Sequence, residues 1–212
     1  MLAGVPPDQV REVLRVARRR RFSRNEVVFH RGDPADTLHL IASGHFAIQV
    51  MTPLGERVTI AIRGPGESFG EMALVDQAPR SATVSATEDA ETYSVFRDDF
   101  LRLRERHPAV GDAVVAFLAR EIRILGERLA EALYVPVEKR VRRRIVELAG
   151  LYPAEDGRPT IPLTQEAIAE LAGTTRPTVN GVLKEEERRG TIELARGRLR
   201  VLDLEALARR AR

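Results

Sequence analysis

Three rhythms of apolar and polar residues follow one another along the chain. Between residues 7 and 20, Val10, Val13, Leu14 and Ala17 recur at helical spacing. A helix is expected there, with Arg18–Arg21 as a basic end complementing its own dipole. From Val27 to Phe96 the period drops to two: Leu38, Leu40 and Ala42 alternate with His39, Ile41 and Ser43. Phe46, Ile48 and Val50 repeat the alternation, as do Val58, Ile60 and Ile62, and then Val84 and Ala86. Glycines at 32, 44, 55 and 66 punctuate it at intervals of 12, 11 and 11 residues. Short, evenly spaced strands with glycine turns predict an antiparallel roll or barrel.

Helical spacing returns over 109–134. Val115, Leu118, Ile122, Leu125, Leu129 and Ala132 advance by 3, 4, 3, 4 and 3 residues, a heptad seam. Val114, Phe117 and Ile124 add a second stripe. The helix therefore reads as two-faced, one side on the roll and the seam on a second copy. Val135-Pro136-Val137 ends it, because proline removes a donor and clashes with the preceding turn. An amphipathic helix over 138–151 follows, then a Pro/Gly/acidic loop at 153–159.

The next two helices are short and joined by a turn at Gly173. Thr164 caps the first, which buries Ile168, Leu171 and Ala172; Thr175 caps the second, with Pro177 in its first turn. Ile192–Leu202 reads as a hairpin turning at Arg196-Gly197. Two helices around a glycine turn, followed by such a wing, are the signature of a winged helix-turn-helix. With Val179, Val182 and Leu183 facing inward, the outer stripe of the second helix is Pro177, Gly181, Lys184 and Arg188. In this motif the first residues of the second helix reach base edges in the major groove. Arg176 is expected to read a base, toward guanine, assisted by Thr178 and Asn180. Thr164, Thr175, Lys184, Arg188, Arg196 and Arg198 are expected on phosphates.

Composition refines the picture. Of 212 residues, 43% are hydrophobic and 31% charged, and no apolar run approaches the length of a membrane span, ~20 residues. The first seven residues lack the basic segment and apolar core of a signal peptide. With no cysteine, disulfides and thiolate metal sites are excluded, and a reducing cytoplasm is the expected compartment. His30, His39, His45 and His107 show neither HxH nor HExxH spacing, so no metal site and no cupin-like enzyme are expected. The net charge of +3 is uneven. Residues 138–212 hold 16 Lys and Arg against 12 Asp and Glu, while the rest holds 18 against 19. The polyanion partner belongs to the C-terminal third.

The densest chemistry lies in Pro65–Val84, PGESFGEMALVDQAPRSATV. Gly66 and Gly70 permit tight turns, and Glu71–Leu74 reads as one helical turn whose first N–H groups lack partners and favour an anion. Arg80 can fork onto a phosphate and Ser81 can donate to it. Glu71 is then suited to accept from a sugar hydroxyl, and a phosphate with a ribose attached is a nucleotide.

At these residues the chain resembles the phosphate-binding cassette of cyclic-nucleotide-binding domains. The resemblance implies that Arg80 and Ser81 hold the cyclic phosphate and Glu71 the ribose 2′-hydroxyl. Gly70, Met72 and Ala73 would serve as backbone donors. The order of roll, long helix, hinge and winged helix-turn-helix resembles the Crp–Fnr family of bacterial transcription regulators over essentially the whole chain. That resemblance implies an α+β fold with an N-terminal cyclic-nucleotide-binding β-roll (1–108), a long dimerisation helix (109–135) and a C-terminal winged helix-turn-helix (136–212). It implies no enzyme, but an allosteric homodimer that reads an inverted-repeat operator under a cyclic nucleotide, cyclic AMP first and cyclic GMP next. RNA polymerase is a partner implied by the family. Two departures stand out. Where cyclic-AMP-responsive members carry polar residues against the adenine, this chain has Leu125 and Gly126. At two recognition-helix positions often Glu and Arg, it has Pro177 and Gly181. The first leaves open a regulator of the same type that needs no cyclic nucleotide or senses another ligand, such as haem.

Overall fold

In the computed structural model the first apolar stripe is α1 (Pro7–Val16), which buries Val13 and leaves Leu14 38% exposed. Every residue is described except Ala3, Gln77, Pro153 and Glu155, and of Ala73 only the backbone is described. The loop expected at 153–159 falls partly outside the described residues. The helix does not continue into the arginines: Arg18–Phe22 is a strand, β1. A helical Arg18–Arg21 would stack like charges on Arg11 and Arg15 one turn back, which is unfavourable. In the strand the charges alternate instead. Arg19 and Arg21 both donate to Glu91, while Arg18 and Arg20 lie over the rings of Phe96 and Phe22.

Seven more strands follow: β2 (Val27–Phe29), β3 (Thr37–Ser43), β4 (Phe46–Met51), β5 (Arg57–Arg63), β6 (Ser68–Phe69), β7 (Thr83–Ala86) and β8 (Ala90–Phe96). They form two four-stranded sheets of order β1-β8-β3-β6 and β2-β7-β4-β5. The alternation expected in β3 is only half kept, because both Leu38 and His39 are buried and a bulge lies between Ile41 and Ser43. The reason is packing on both faces. Leu38 joins a cluster with Val13 of α1, while Ile41 joins Phe22, Phe46, Phe69 and Val84. His39 stacks on Phe69 at 4.9 Å, and its Nδ1 bonds Thr92 Oγ1 at 3.0 Å. Burial, then the charges of Arg80 and Arg20, push its pKa down to about 3, so the imidazole is neutral.

α2 (Arg97–Arg106) and α3 (Pro108–Tyr134) complete this part. One face of α3 buries Val110, Ala113, Val114 and Phe117. Of the expected seam, Val115, Ile122, Leu125 and Leu129 are 60–70% exposed, but Leu118 is half-buried against the cluster of Val110 and Val114, so it serves the buried face instead. By contacts the chain divides into one unit of Met1–Arg57 and Ala61–Leu125 and another of Val58–Ile60 and Gly126–Arg212. Pro136 ends α3 and stands as the N-cap of α4 (Val137–Leu151).

Beyond α4 come β9 (Thr160–Ile161), α5 (Gln165–Ala172), α6 (Arg176–Arg188), β10 (Ile192–Ala195), β11 (Arg198–Val201) and α7 (Leu204–Ala211). The wing is a three-stranded sheet of order β10-β11-β9, one strand more than the sequence pattern shows. Ile145, Ile161, Ile168, Leu183, Ile192, Leu199 and Leu207 are fully buried around it.

Polar groups are buried with them, Arg142, Arg144, Glu186 and Thr191, and Glu186 is the deepest. Glu186 of α6 is inaccessible to solvent; its Oε1 accepts from Arg142 Nε at 2.8 Å and from Arg210 Nε at 3.1 Å. Its Oε2 accepts from Thr191 Oγ1 at 2.6 Å and from Arg210 Nη2. These bonds tie the recognition-type helix to α4 and α7. Burial alone would push this carboxyl up, but Arg210, Thr191 and Arg142 outweigh it and hold the pKa at about 2. The unfolded carboxyl titrates near 4.5, so between these values the unfolded chain takes the proton first. The stabilisation, roughly 3 kcal/mol, is complete above that upper value and is lost as pH falls through the lower one. Glu186→Gln is expected to remove this part of the acid limb and to lower stability at neutral pH by about 3 kcal/mol. Urea unfolding of both chains across the acid range measures it.

Candidate functional site

The cassette is built on a glycine. After β6 the chain passes through Gly70, φ +81°, into a single 3₁₀ turn, Glu71–Leu74. That φ suits glycine, and a Cβ would come within 2.7 Å of Arg80 Nη1 and 2.9 Å of Thr37 O. Leu74, 1% exposed, anchors the turn in the apolar cluster under the helices.

Arg80 returns to the same place with its side chain 4% exposed. Nη1 donates to Thr37 O at 2.8 Å and to Gly70 O at 3.4 Å; Nη2 donates to Thr37 Oγ1 at 2.7 Å. The guanidinium lies over the Phe29 ring, 4.0 Å from its centroid. The Asp36 carboxylate is 3.9 Å away, and Nε is buried with no hydrogen-bond partner among the described residues. Burial lowers the Arg80 pKa, against the pull of Asp36, Asp33 and Glu71. A buried cation with neutral partners and an orphaned N–H is short of an anion.

Glu71 supplies the opposite character. Burial raises its carboxyl; Arg63 and Arg80 pull it down and Glu121 of α3 pushes it up. A phosphate at Arg80 and a hydroxyl donor at Glu71 together fit a ribose phosphate. Ser81 is exposed beside them, its Oγ donating to Met72 Sδ at 3.5 Å, and Met72 is 44% exposed. Gly70, Glu71, Met72, Arg80 and Ser81 are therefore brought together, with the backbone of Ala73 in the same turn; the Ala73 side chain lies outside the described residues. Leu125 lies on the exposed face of α3, one turn beyond Glu121. Sequence reasoning missed Thr37, Phe29 and Asp36 as the holders of Arg80. Their spacing from it carries no local signal, since only sheet pairing makes them neighbours.

The second surface is on the other unit. Thr164 caps α5 by accepting from Ala167 N at 3.2 Å, and Gly173 closes it at φ +60°. Thr175 caps α6 by accepting from Thr178 N at 3.5 Å, with the two hydroxyls 3.0 Å apart. Val179, Val182 and Leu183 are buried, which turns Pro177, Gly181, Lys184 and Arg188 outward to solvent. A groove of ≈ 580 Å³ opens between the start of α6 and the wing, with Thr164, Gln165, Arg176, Arg196 and Arg198 on its walls. Thr178 and Asn180 are half-buried on α6, and Asn180 Oδ1 accepts from Gln165 Nε2 at 3.5 Å. Gln165 is a residue that sequence reasoning missed; its place directly after the Thr164 cap was the available clue. Three arginines, two capped helix starts and a groove suit a phosphate-bearing duplex.

Among the described residues, no group of three or more His, Cys, Asp or Glu could hold a metal ion, and no helix is long and apolar enough to cross a membrane.

Comparison with known proteins finds two family models along the chain. Residues 19–107 match the cyclic nucleotide-binding domain and residues 139–210 the Crp-like helix-turn-helix domain. The CRP-like cAMP-activated global transcriptional regulator of Mycobacterium tuberculosis is 32% identical over 99% of this chain and 95% of its own length. The crystal structure of the Thermus thermophilus catabolite activator protein is 33% identical, with a TM-score of 0.58 over 98% of this chain and 96% of that one. A second CRP-family transcriptional regulator from Thermus thermophilus is 29% identical, with a TM-score of 0.76 over 91% of this chain and 96% of that one. With a cyclic nucleotide-binding domain, a Crp-like helix-turn-helix and relatives of this identity along its length, the chain belongs to the Crp–Fnr family of DNA-binding transcription regulators, which are not enzymes.

Proposed function

We propose that this regulator is a homodimer whose grip on an inverted-repeat operator is set by cyclic AMP bound in the roll. The observation that carries the ligand is Arg80: a buried guanidinium whose Nε has no partner among the described residues, facing the turn that Gly70 opens. In this reading Arg80 and Ser81 hold the cyclic phosphate, Gly70, Met72 and Ala73 offer backbone donors, and Glu71 takes the ribose hydroxyl. Relatives named as cAMP-activated support that nucleotide. Residues 1–108 form the sensing domain, 109–135 the dimer helix and 136–212 the reader. Arg176, with Thr178 and Asn180, addresses bases; Thr164, Thr175, Lys184, Arg188, Arg196 and Arg198 address phosphates. The ligand favours one arrangement of the α3 pair, and this sets two recognition helices one DNA turn apart, ~34 Å. RNA polymerase is the further partner and the cytoplasm the compartment.

A second reading keeps the DNA and changes the effector to cyclic GMP, to haem or to none. Leu125 favours it, since a leucine cannot bond the adenine amino group, and leaving that group unpaired costs ~1–3 kcal/mol.

Arg80→Ala is expected to abolish binding of cyclic AMP in calorimetry and to leave operator affinity indifferent to it. Unchanged binding in that variant overturns the assignment. The seam makes a separate prediction. Leu129→Asp places a charge on an apolar stripe that is 60% exposed in the single chain. Sedimentation of the wild type is expected to give a dimer and the variant a monomer, with operator affinity lost at least ~100-fold as the second half-site is forfeited.

A further inference from the structure

The turn of the helix-turn-helix is tied to the end of the long helix by one side chain. Pro136 has no N–H, so the carbonyl of Ala132, four residues earlier, lacks the donor that a continuing helix would give it. Arg140 of α4 supplies one: its Nη1 donates to Ala132 O at 3.0 Å and to Val135 O at 3.5 Å. The same guanidinium reaches the end of α5, where Nε donates to Ala172 O at 3.3 Å and Nη2 to Gly173 O at 3.2 Å. A cation placed there meets the negative ends of two helix dipoles.

Its neighbours on α4 behave otherwise. Arg142 pairs with Glu185 and Glu186, and Arg143 and Arg144 pair with Glu131 of α3. Among the described residues, the four hydrogen bonds of Arg140 all end on main-chain carbonyls. A planar fork with several N–H groups can hold two chain ends at once, which a single ammonium cannot. Gly173 ends α5 at φ +60°, and two residues later Thr175 caps α6. The grip of Arg140 therefore falls on the turn from which the recognition-type helix starts.

We propose that Arg140 is a positioning residue for DNA reading: it registers the turn before α6 against the last turn of α3, so that the two recognition helices of a dimer keep the separation set by the α3 pair. The role rests on the homodimer and inverted-repeat reading. Arg140 touches neither base nor phosphate in this role; it acts through the carbonyls of Ala132, Val135, Ala172 and Gly173.

Spacing discrimination separates positioning from simple loss of charge. The test uses full-length protein and duplexes selected by the wild type from a random-sequence pool, with and without cyclic AMP. One base pair inserted between the half-sites turns one against the other by about 35°. The wild type is expected to lose affinity ~100-fold, because both half-sites can no longer be held at once. Arg140→Gln is expected to bind the original duplex ~tenfold more weakly and to lose less than ~tenfold more on insertion, since a released reader can follow the shifted half-site. Arg140→Lys, which keeps the charge without the fork, is expected to behave like Arg140→Gln. Wild-type discrimination in Arg140→Gln, or its full return in Arg140→Lys, overturns the proposal. So does a salt dependence shallower by about one in Arg140→Gln, which marks a phosphate contact.

A second measurement needs no DNA. The chain has no cysteine, so spin labels at Glu127→Cys in α3 and Glu166→Cys in α5 report one distance when labelled chains are diluted in excess unlabelled protein. A narrow distance is expected with Arg140 in place and a broad one in both variants; equal widths in all three overturn the proposal. If the wild type shows no spacing preference, the dimer reading fails on its own, and this width still decides whether Arg140 holds the turn.

Discussion

The roll is organised around a guanidinium that it has taken out of water. Arg80 is 4% exposed at its side chain, and Thr37, Gly70 and the face of Phe29 surround it. None of these carries a full negative charge, and the carboxylate of Asp36 stands at the 3.9 Å margin of an ion pair. Withdrawing a cation from water costs several kcal/mol unless an anion compensates it. The fold meets that cost with two carbonyls, a hydroxyl and a π face, and leaves Nε without a partner among the described residues. Behind this shell, Thr37 leads to His39 and Thr92, a polar run inside the sheet that holds the Arg80 partners in place. The neutral imidazole of His39 fits this role, since a second buried cation beside Arg80 would be repelled.

The reading unit handles buried charge differently. Glu186 is wholly enclosed, yet it accepts four side-chain hydrogen bonds, three of them from the arginines on α4 and α7. This carboxylate is satisfied and so has nothing left to bind. The contrast separates a charge completed within the chain from one left short of a partner. Glu186 is complete within the chain and fixes the pitch of α6, whereas Arg80 is incomplete. The same bonds take up most of the acidic run 185–187. Glu185 pairs with Arg142 and Arg189, and Glu186 is buried, so Glu187 alone of the three stands exposed.

The long helix shows a third way in which surface can be left over. Its buried face is short, ending near Phe117, while Val115, Ile122, Leu125 and Leu129 continue along the other side at 60–70% exposure. A run of large apolar side chains this open is a stripe awaiting cover. Its heptad spacing fits a second helix of the same kind.

Much of this was legible in the linear order of residues. The 3-4 spacing of α3, the stop at Pro136, the threonine caps of α5 and α6, and the turn at Arg196-Gly197 are local rules, satisfied within a few residues. The cassette was legible too, because its glycines, Glu71, Arg80 and Ser81 are close in sequence. What local rules could not decide was anything requiring a partner from far along the chain. Arg18–Arg21 looked like a helix end until Glu91, some seventy residues away, made a strand the better place for four positive charges. Leu38 and His39 broke their alternation because helices cover one face of β3 and the roll interior the other. Thr37 for Arg80, Arg142 and Arg210 for Glu186, and Glu121 for Arg63 were invisible for the same reason. Sequence determined which residues are candidates for the chemistry, since a motif is a local arrangement of side chains. Tertiary structure alone decided which charges are compensated, because that depends on what burial removes from water and on which distant partners the fold carries into hydrogen-bonding range.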